Sequence, residues 1–207
     1  LIDLGGTNLR AGAGDTSSMT ISDIQKIKVD TNKDIFDALN EISSKNNYEE
    51  IVISAAGPVN ENKISMTNRE LEISAADLEK ELNVKECHLL NDWESIGYSL
   101  PLMTKNDFNV IKSGNMDNSQ TCLAIGPGTG LGFSVLRYVG NVPYVYPTEL
   151  GNARSYNDHL SNLFEISNYK NFIVLEDYLS GTGIKKIYAE KSGKNLTTEE
   201  IVSLYSE

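Results

Sequence analysis

Cysteine and long apolar runs are scarce in this 207-residue chain. Its two cysteines, Cys87 and Cys122, form no Cys-x-x-Cys pattern, and its two histidines, His88 and His159, have no spacing typical of metal ligands. We therefore expect two buried free thiols in a reducing compartment and no zinc site. No stretch approaches the roughly 20 apolar residues of a membrane span, and the N-terminus shows no charged-then-apolar signal pattern.

Basic residues are outnumbered, because 18 Lys and Arg against 29 Asp and Glu leave a formal charge of −11 at pH 7. Nucleic acids and anionic membranes are bound by clustered Lys and Arg, so neither is an expected partner. The length allows two domains, and the sharpest break in the pattern lies near Pro101. The chain begins without Met just before a strand-like run and stops after a helix-like segment, so we expect a fragment of a longer protein.

Apolar periodicity predicts alternating strands and helices. An N-terminal hairpin and a third strand precede a helix over 32–46, for which Asn32 or Asp34 is the expected cap. A buried strand and a short helix capped by Ser74 follow. Hairpins and strands resume after Pro101. The C-terminal part from about Asn157 is expected to be mostly helical, over the segments 157–167 and 172–193 and the final segment. The order of hairpins followed by helices and strands occurs twice along the chain. It predicts an α/β protein with two related halves.

Two common phosphate-binding patterns are absent: GxxxxGK[ST], and a GxGxxG that opens a helix. Two other glycine turns are present, in IDLGGTNLRAGAG and AIGPGTGLGFSVL, and each joins one apolar strand to the next. Successive backbone N–H groups in such a turn can converge on an anion, and a Thr hydroxyl adds a donor. One glycine-rich hairpin is ordinarily structural, whereas a pair, each with a Thr, favours a phosphate clamp.

Two acidic residues adjoin these apolar strands. Asp92 follows Asn91 where a strand ends and a helix starts, so it is either a helix cap or an active-site carboxylate. Asp3 lies inside the first strand, where an acid is costly unless it is paired or bound to a metal. A Mg²⁺ held directly or through water is one interpretation, and a hydrogen-bonded structural Asp is the other.

Six motifs, DLGGTN, AAGPV with MTN, LLNDW, AIGPGTGLG, TELGN and LEDYLSGTG, occur in the order and approximate spacing of the bacterial-type glucokinase family. The chain resembles that family from Leu1 to its end. The resemblance implies the actin-like ATPase (ribonuclease H-like) fold, an α/β fold with two related sheet-and-helix domains and a cleft between them. The small N-terminal domain would span 1–101 and a partial large domain 102–207, and the adenosine-binding segment would lie in further chain beyond this one.

The resemblance also implies roles for single residues. Asp92 matches the base that takes the proton from the sugar hydroxyl, and Asp3 is the candidate for Mg²⁺. Sugar binding is implied for Asn68, Asn91, Glu149, Asn152 and Glu176. Phosphate binding is implied for Gly5, Gly6, Thr7 and Asn8 in the first turn, and for Gly126, Gly128, Thr129 and Gly130 in the second. The expected activity is transfer of a phosphoryl group from ATP, with Mg²⁺, to the 6-hydroxyl of glucose by a cytoplasmic enzyme.

One motif departs from the family, in which Gly-Glu-Gly-Gly-His surrounds the first sugar-binding acid. Here Asn152 stands where a histidine that contacts the sugar would be, so the motif does not fix the identity of the sugar. Arg154 is either a surface residue or a partner for the carboxylate of a sugar acid such as 2-keto-3-deoxygluconate. A non-catalytic sugar sensor is a further alternative, and a homodimer is left open as the assembly. The two separated cysteines disfavour the zinc-binding ROK branch.

Overall fold

The computed structural model describes residues 1–66, 69–104, 106–114, 117, 120–146, 148–154 and 158–205. Within these residues the chain forms two compact units, Leu1–Ser95 and Ile96–Glu207. The division falls inside a helix, Asp92–Ser99, a few residues before the predicted boundary at Pro101. None of the described helices is long and apolar enough to cross a membrane.

Unit 1 is built from short elements, and its strands form a five-stranded sheet and a three-stranded sheet. Its strands are β1 (Ile2–Leu4), β2 (Asn8–Asp15), β3 (Thr20–Lys28), β4 (Glu50–Ala55), β5 (Val59–Asn60), β6 (Lys63–Ser65), β7 (Glu72–Ser74) and β8 (Glu86–Asn91). Its helices are α1 (Asn32–Lys45), α2 (Ala75–Leu82) and the start of α3 (Asp92–Ser99).

The main sheet of unit 1 has the order β3-β2-β1-β4-β8. The first three strands are antiparallel, as the hairpin pattern predicts, whereas β1, β4 and β8 run parallel. Parallel strands bring their carboxyl ends to one edge of a sheet, which is where α/β proteins assemble sites. The apolar faces of the sheet and of α1 and α2 form one core, with Leu9, Ile35 and Ile53 fully buried.

Local capping signals set the helix starts in unit 1. Ser74 caps α2 through its side chain, as predicted. The predicted cap of α1 is wrong, because Thr31 holds that position and Asp34 lies three residues into the helix. The Thr31 hydroxyl accepts from the Asp34 N–H, and the Asp34 carboxylate accepts from the Thr31 N–H, which is a capping box.

Unit 2 repeats part of this pattern. Its strands β9 (Cys122–Pro127), β10 (Leu131–Val139) and β11 (Val142–Tyr146) form an antiparallel sheet of order β11-β10-β9. This arrangement matches β3-β2-β1 of unit 1, with a glycine turn after the first strand in both. The predicted relation between two α/β halves therefore holds for these described strands.

The rest of unit 2 is helical in shorter pieces than expected. Its helices are α4 (Asp158–Leu163), α5 (Gly181–Ser192) and α6 (Thr198–Ser203), with short 3₁₀ turns at Leu150–Asn152 and Leu175–Asp177. The prediction of a mostly helical 172–193 is wrong at its start, because α5 begins only at Gly181, where the Ser180 hydroxyl caps it by accepting from the Gly183 N–H.

The two cysteines are free thiols. Cys87 on β8 is buried, and burial together with the charge of Glu79 raises the pKa of its thiol to about 11. Cys122 is only half-buried, so the expectation of full burial fails for that residue.

Candidate active site

The first glycine turn joins β1 to β2 through Gly5, Gly6 and Thr7. The Gly5 N–H donates to the carbonyl of Asn8 at 2.9 Å, which closes the turn. The carbonyl of Gly6 accepts from the guanidinium of Arg69, and the carbonyl of Thr7 accepts from the Val29 N–H at 3.0 Å. Two successive carbonyls of the turn are therefore held by the protein.

The second glycine turn joins β9 to β10 and is held in the same way. The carbonyl of Gly128 accepts from the Gly181 N–H at 2.8 Å. The carbonyl of Thr129 accepts from Thr182, through its N–H at 3.3 Å and its hydroxyl at 3.1 Å. Gly126 lies within β9, opposite Gly132 on β10, so the turn itself begins after it.

Held carbonyls fix the direction of the amides that follow them. In a trans peptide the C=O and N–H groups point to opposite sides, so a carbonyl turned toward the protein turns the next N–H outward. The Thr7 and Thr129 N–H groups are oriented in this way. Amides turned outward in this way are the donors that an anion site would need, and the phosphate sites at both turns stay predictions.

Asp92 and Asn91 lie where β8 ends and α3 begins. The Trp93 N–H is shared between Asn91 Oδ1 at 2.8 Å and Asp92 Oδ1 at 2.9 Å. Asn91 Nδ2 donates to the carbonyl of Gly57 at 2.9 Å. Both side chains thus help to start the helix, and the Asn91 amide is fixed by a residue of the AAGPV motif.

The Asp92 carboxyl is half-buried at this sheet edge. Burial raises its pKa, the Trp93 N–H opposes that rise, and the negative charge of Asp3 adds to it. Asp3 itself is half-exposed and forms an ion pair with Arg10, its register partner on β2, with Nη1 at 2.8 Å from Oδ2. The second sequence interpretation of Asp3, a hydrogen-bonded acid, therefore describes its contact in this structure.

In unit 2 three predicted motifs come together around the second turn. The Glu176 Oε2 accepts from the Leu131 N–H at 2.9 Å, directly after the turn. Gly151 packs so closely on the carbonyl of Leu131 that a Cβ at Gly151 would lie 2.1 Å from it. Gly151 lies in the 3₁₀ turn Leu150–Asn152, so this turn packs on the start of β10.

A cavity of about 890 Å³ opens beside this turn, within unit 2. Gly128 and Thr129 line one side of it, the first residues of α5 line another, and Thr198 at the start of α6 contributes a third. Its walls mix backbone, hydroxyl and apolar groups such as Ile125. The cavity has the size and chemistry of a small-molecule pocket.

Several predicted residues are not placed at a site. Asn68 lies outside the described residues. Arg154 is exposed and pairs through its backbone with Val174, next to the turn that carries Glu176. No cluster of three or more metal-ligating side chains occurs among the described residues.

Sequence reasoning missed the residues that hold the site residues in place. Arg69 supports the first turn from a separate loop. Asp177 fixes the turn beside Glu176, because its carboxylate accepts from the Ile173 and Val174 N–H groups and pairs with Lys186 on α5. Of these two residues, only Asp177 had a signal in the sequence, because it is the acid that follows Glu176 in the LEDYLSGTG motif.

Comparison with known proteins identifies this arrangement. Residues 1–203 match the sequence model of the glucokinase family. The chain belongs to the glucokinase family. A glucokinase from Colwellia psychrerythraea is 31% identical over 196 residues, which cover 90% of this chain and 58% of that protein. The chain therefore spans little more than half the length of that glucokinase.

Solved structures confirm the fold. A glucokinase from an Antarctic psychrotroph superimposes with a TM-score of 0.79 at 23% identity, over 99% of this chain and 69% of the other. A glucokinase from Balamuthia mandrillaris, in complex with glucose, gives a TM-score of 0.63 at 18% identity, over 98% and 67%. The predicted α/β fold of the actin-like class is thereby confirmed.

Proposed function

We propose that the full-length protein transfers the terminal phosphoryl group of ATP to a sugar, with glucose as the expected acceptor. The observation that carries the proposal is the match of residues 1–203 to the glucokinase family. The glucose bound to the Balamuthia relative supports the choice of sugar. The two free cysteines support the cytoplasm as the location.

Asp92 is the proposed general base. It lies at the carboxyl end of a parallel strand, and burial raises the pKa of its carboxyl, which makes it a better proton acceptor than an ordinary Asp. In the proposed step the Asp92 carboxylate takes the proton from the sugar 6-hydroxyl as that oxygen attacks the γ-phosphorus of ATP. The bond from that phosphorus to the β–γ bridging oxygen breaks, and ADP leaves. Its neighbour Asn91, with Nδ2 held by Gly57, orients one sugar hydroxyl.

Phosphoryl transfer depends mainly on positioning and charge stabilisation. The outward amides of the first and second turns are proposed to bind phosphate. Glu149, Asn152, Glu176 and Asn68 are proposed to bind the remaining sugar hydroxyls. The cavity beside the second turn is the proposed place for the nucleoside part of ATP, because it adjoins Gly128 and Thr129.

Magnesium fits the donor set of unit 1. A Mg²⁺ carried by a nucleotide uses one or two carboxylates together with phosphate oxygens and water. The charge of Asp3 acts on the Asp92 carboxyl, and Arg10 contacts Asp3 through its Oδ2. Asp3 would hold the ion directly or through water. When bound, the ion neutralises charge on the phosphate oxygens.

The test is a coupled assay of ADP release by the full-length protein with ATP and Mg²⁺. The acceptors are glucose, mannose, N-acetylglucosamine, gluconate and 2-keto-3-deoxygluconate. Turnover that is fastest with glucose is the expected result, and it means that Asn152 replaces the family histidine without changing the sugar. Preference for an acid would direct attention to Arg154, and no turnover with any sugar would favour the sensor alternative.

A further inference from the structure

The guanidinium of Arg69 supports the first glycine turn from another part of unit 1. Its Nε donates to the carbonyl of Gly6 at 3.0 Å, and its Nη2 donates to the carbonyls of Gly6 and Val29. Arg69 is half-buried, and 63 residues separate it from Gly6 along the chain. Hydrogen bonds from a charged donor are about twice as strong as neutral ones.

This contact fixes one particular peptide. Because the Gly6–Thr7 peptide is trans, its carbonyl faces Arg69 and its N–H faces the opposite side. The same guanidinium contacts Val29, whose own N–H holds the carbonyl of Thr7. Arg69 therefore restrains two consecutive peptides of a turn that has only glycine and Thr7 between its strands.

The second turn has no need of such a side chain. The carbonyl of Gly128, which corresponds to that of Gly6, is held by the backbone N–H of Gly181. The carbonyl of Thr129 is held by the N–H and hydroxyl of Thr182. The first turn depends on one side chain for the corresponding contact at Gly6. A single substitution at Arg69 can therefore change the geometry of the first turn.

We propose that Arg69 is a positioning residue that turns the Thr7 N–H toward the phosphates of the nucleotide. The inference rests on the proposed function, because it needs a phosphate at the first turn. The loop that carries Arg69 keeps its own closure without the guanidinium, since the Met66 N–H donates to the carbonyl of Leu71 at 3.0 Å. Loss of the side chain therefore weakens nucleotide binding more than sugar binding.

The experiment compares R69M and R69K with wild type in the full-length protein, with K28M as the matched control. Lys28 is an exposed cation next to Val29 and pairs with the side chain of Asp30 at 2.8 Å. Calorimetry measures the Kd of Mg·ADP and of glucose. Amide hydrogen exchange of the peptide that covers residues 5–9 reports the turn in the unliganded protein.

R69M is expected to raise the Kd of Mg·ADP by about tenfold, the effect of losing the charge-assisted hydrogen bond from the Thr7 N–H to a phosphate, while the Kd of glucose changes by less than about twofold. Exchange at 5–9 becomes faster in the same variant. R69K is expected to fall between wild type and R69M, because a compact ammonium cannot reach both carbonyls in the way that the planar guanidinium does. K28M should match wild type in all three measurements.

The proposal is overturned if R69M binds Mg·ADP as wild type does, or if exchange at 5–9 is unchanged. Equal weakening of Mg·ADP and glucose would also overturn it, because that result indicates a general structural role. If the wild-type protein binds no Mg·ADP, the first turn has no nucleotide phosphate to bind and the proposal fails. Wild type that binds Mg·ADP but phosphorylates no sugar would refute the proposed function and leave the role of Arg69 to be judged from binding and exchange.

Discussion

The carboxylate of Glu176 lies on the second glycine turn, with its Oε2 2.9 Å from the Leu131 nitrogen. The same oxygen would lie 2.7 Å from a Cβ at Gly130, so only a residue without a side chain leaves room for it. One acid proposed to bind the sugar is thus placed by the turn proposed to bind phosphate. The contact between Glu176 and Leu131 therefore links proposed sugar binding to proposed phosphate binding within unit 2.

Gly130→Ala should therefore act on Glu176. The added methyl displaces a flexible side chain, so we expect a loss of only about 0.5–1.5 kcal/mol in unfolding free energy, the value of one hydrogen bond. Glucose affinity should fall by roughly tenfold, because a carboxylate partner of a hydroxyl moves. Thermal melts and glucose calorimetry measure both quantities. Gly114→Ala is the control, since its Cβ would meet nothing within 4 Å; equal glucose affinity in the two variants would contradict the role of Glu176.

Asp92→Asn should abolish sugar phosphorylation and make the protein more stable at pH 7. Burial raises the pKa of this carboxyl, so folding costs free energy once it is ionised. An amide removes that charge and also the repulsion from Asp3, while its oxygen can still accept from the Trp93 N–H. Coupled assays and melting curves provide the comparison. Retained turnover would exclude Asp92 as the base, and a lower melting temperature would contradict the cost of its burial.

The pH profile of the wild-type protein gives a separate test. A base must be ionised, so kcat/KM should fall as the pH drops through the raised pKa of Asp92, above the range of an exposed aspartate. The sign for stability is opposite: with a folded pKa above the unfolded one, this group favours the folded state below both pKa values and disfavours it above them. An acid limb at the pKa of an ordinary Asp would argue against Asp92.

Features set by neighbouring residues could be predicted from the sequence. The hairpins, the two glycine turns and the Ser74 cap all follow from residues within a few positions of one another. The prediction of the α1 cap failed because Thr31, Asn32 and Asp34 can all cap a helix. Only the pattern of a Thr followed three residues later by an acid identifies Thr31 as the cap.

Contacts between distant segments could not be predicted. Arg69 lies in a loop far along the chain and donates to the carbonyl of Gly6, and no spacing in the sequence indicates this contact. The contact of Glu176 with Leu131 is of the same kind. The resemblance of the motifs assigns roles to residues, whereas the held carbonyls of the two turns are visible only once the strands are paired.

Gly57→Ala should disturb Asn91 through the backbone. Gly57 has a φ of 153°, and its Cβ would lie 2.1 Å from the carbonyl oxygen of Ser65. A backbone atom cannot swing aside, so we expect a loss of about 1–3 kcal/mol in unfolding free energy, typical of overpacking. The shift also moves the carbonyl that holds Asn91, which should weaken sugar binding. Gly14→Ala, with only ordinary contacts to Leu1, is the matched control in urea unfolding; equal midpoints would contradict the predicted clash.

Ser134 and Gly97 provide a test of packing inside unit 2. Ser134 is fully buried, and its hydroxyl has no hydrogen-bond partner among the described residues. A buried hydroxyl without a partner costs about 1–3 kcal/mol, so Ser134→Ala should raise the free energy of unfolding. Gly97→Ala should lower it, because the new Cβ would lie 2.1 Å from the Ser134 Oγ and 2.7 Å from Val145 Cγ1.

The double variant separates the two clashes. Removal of the Ser134 hydroxyl relieves the first contact and leaves the one with Val145, so Gly97→Ala should cost less in the Ser134→Ala background than in wild type. Urea unfolding of all four proteins gives the coupling energy directly. Additive effects would mean that the helix moves as a whole to admit the methyl, and a destabilised Ser134→Ala would mean that the hydroxyl has a partner in solution.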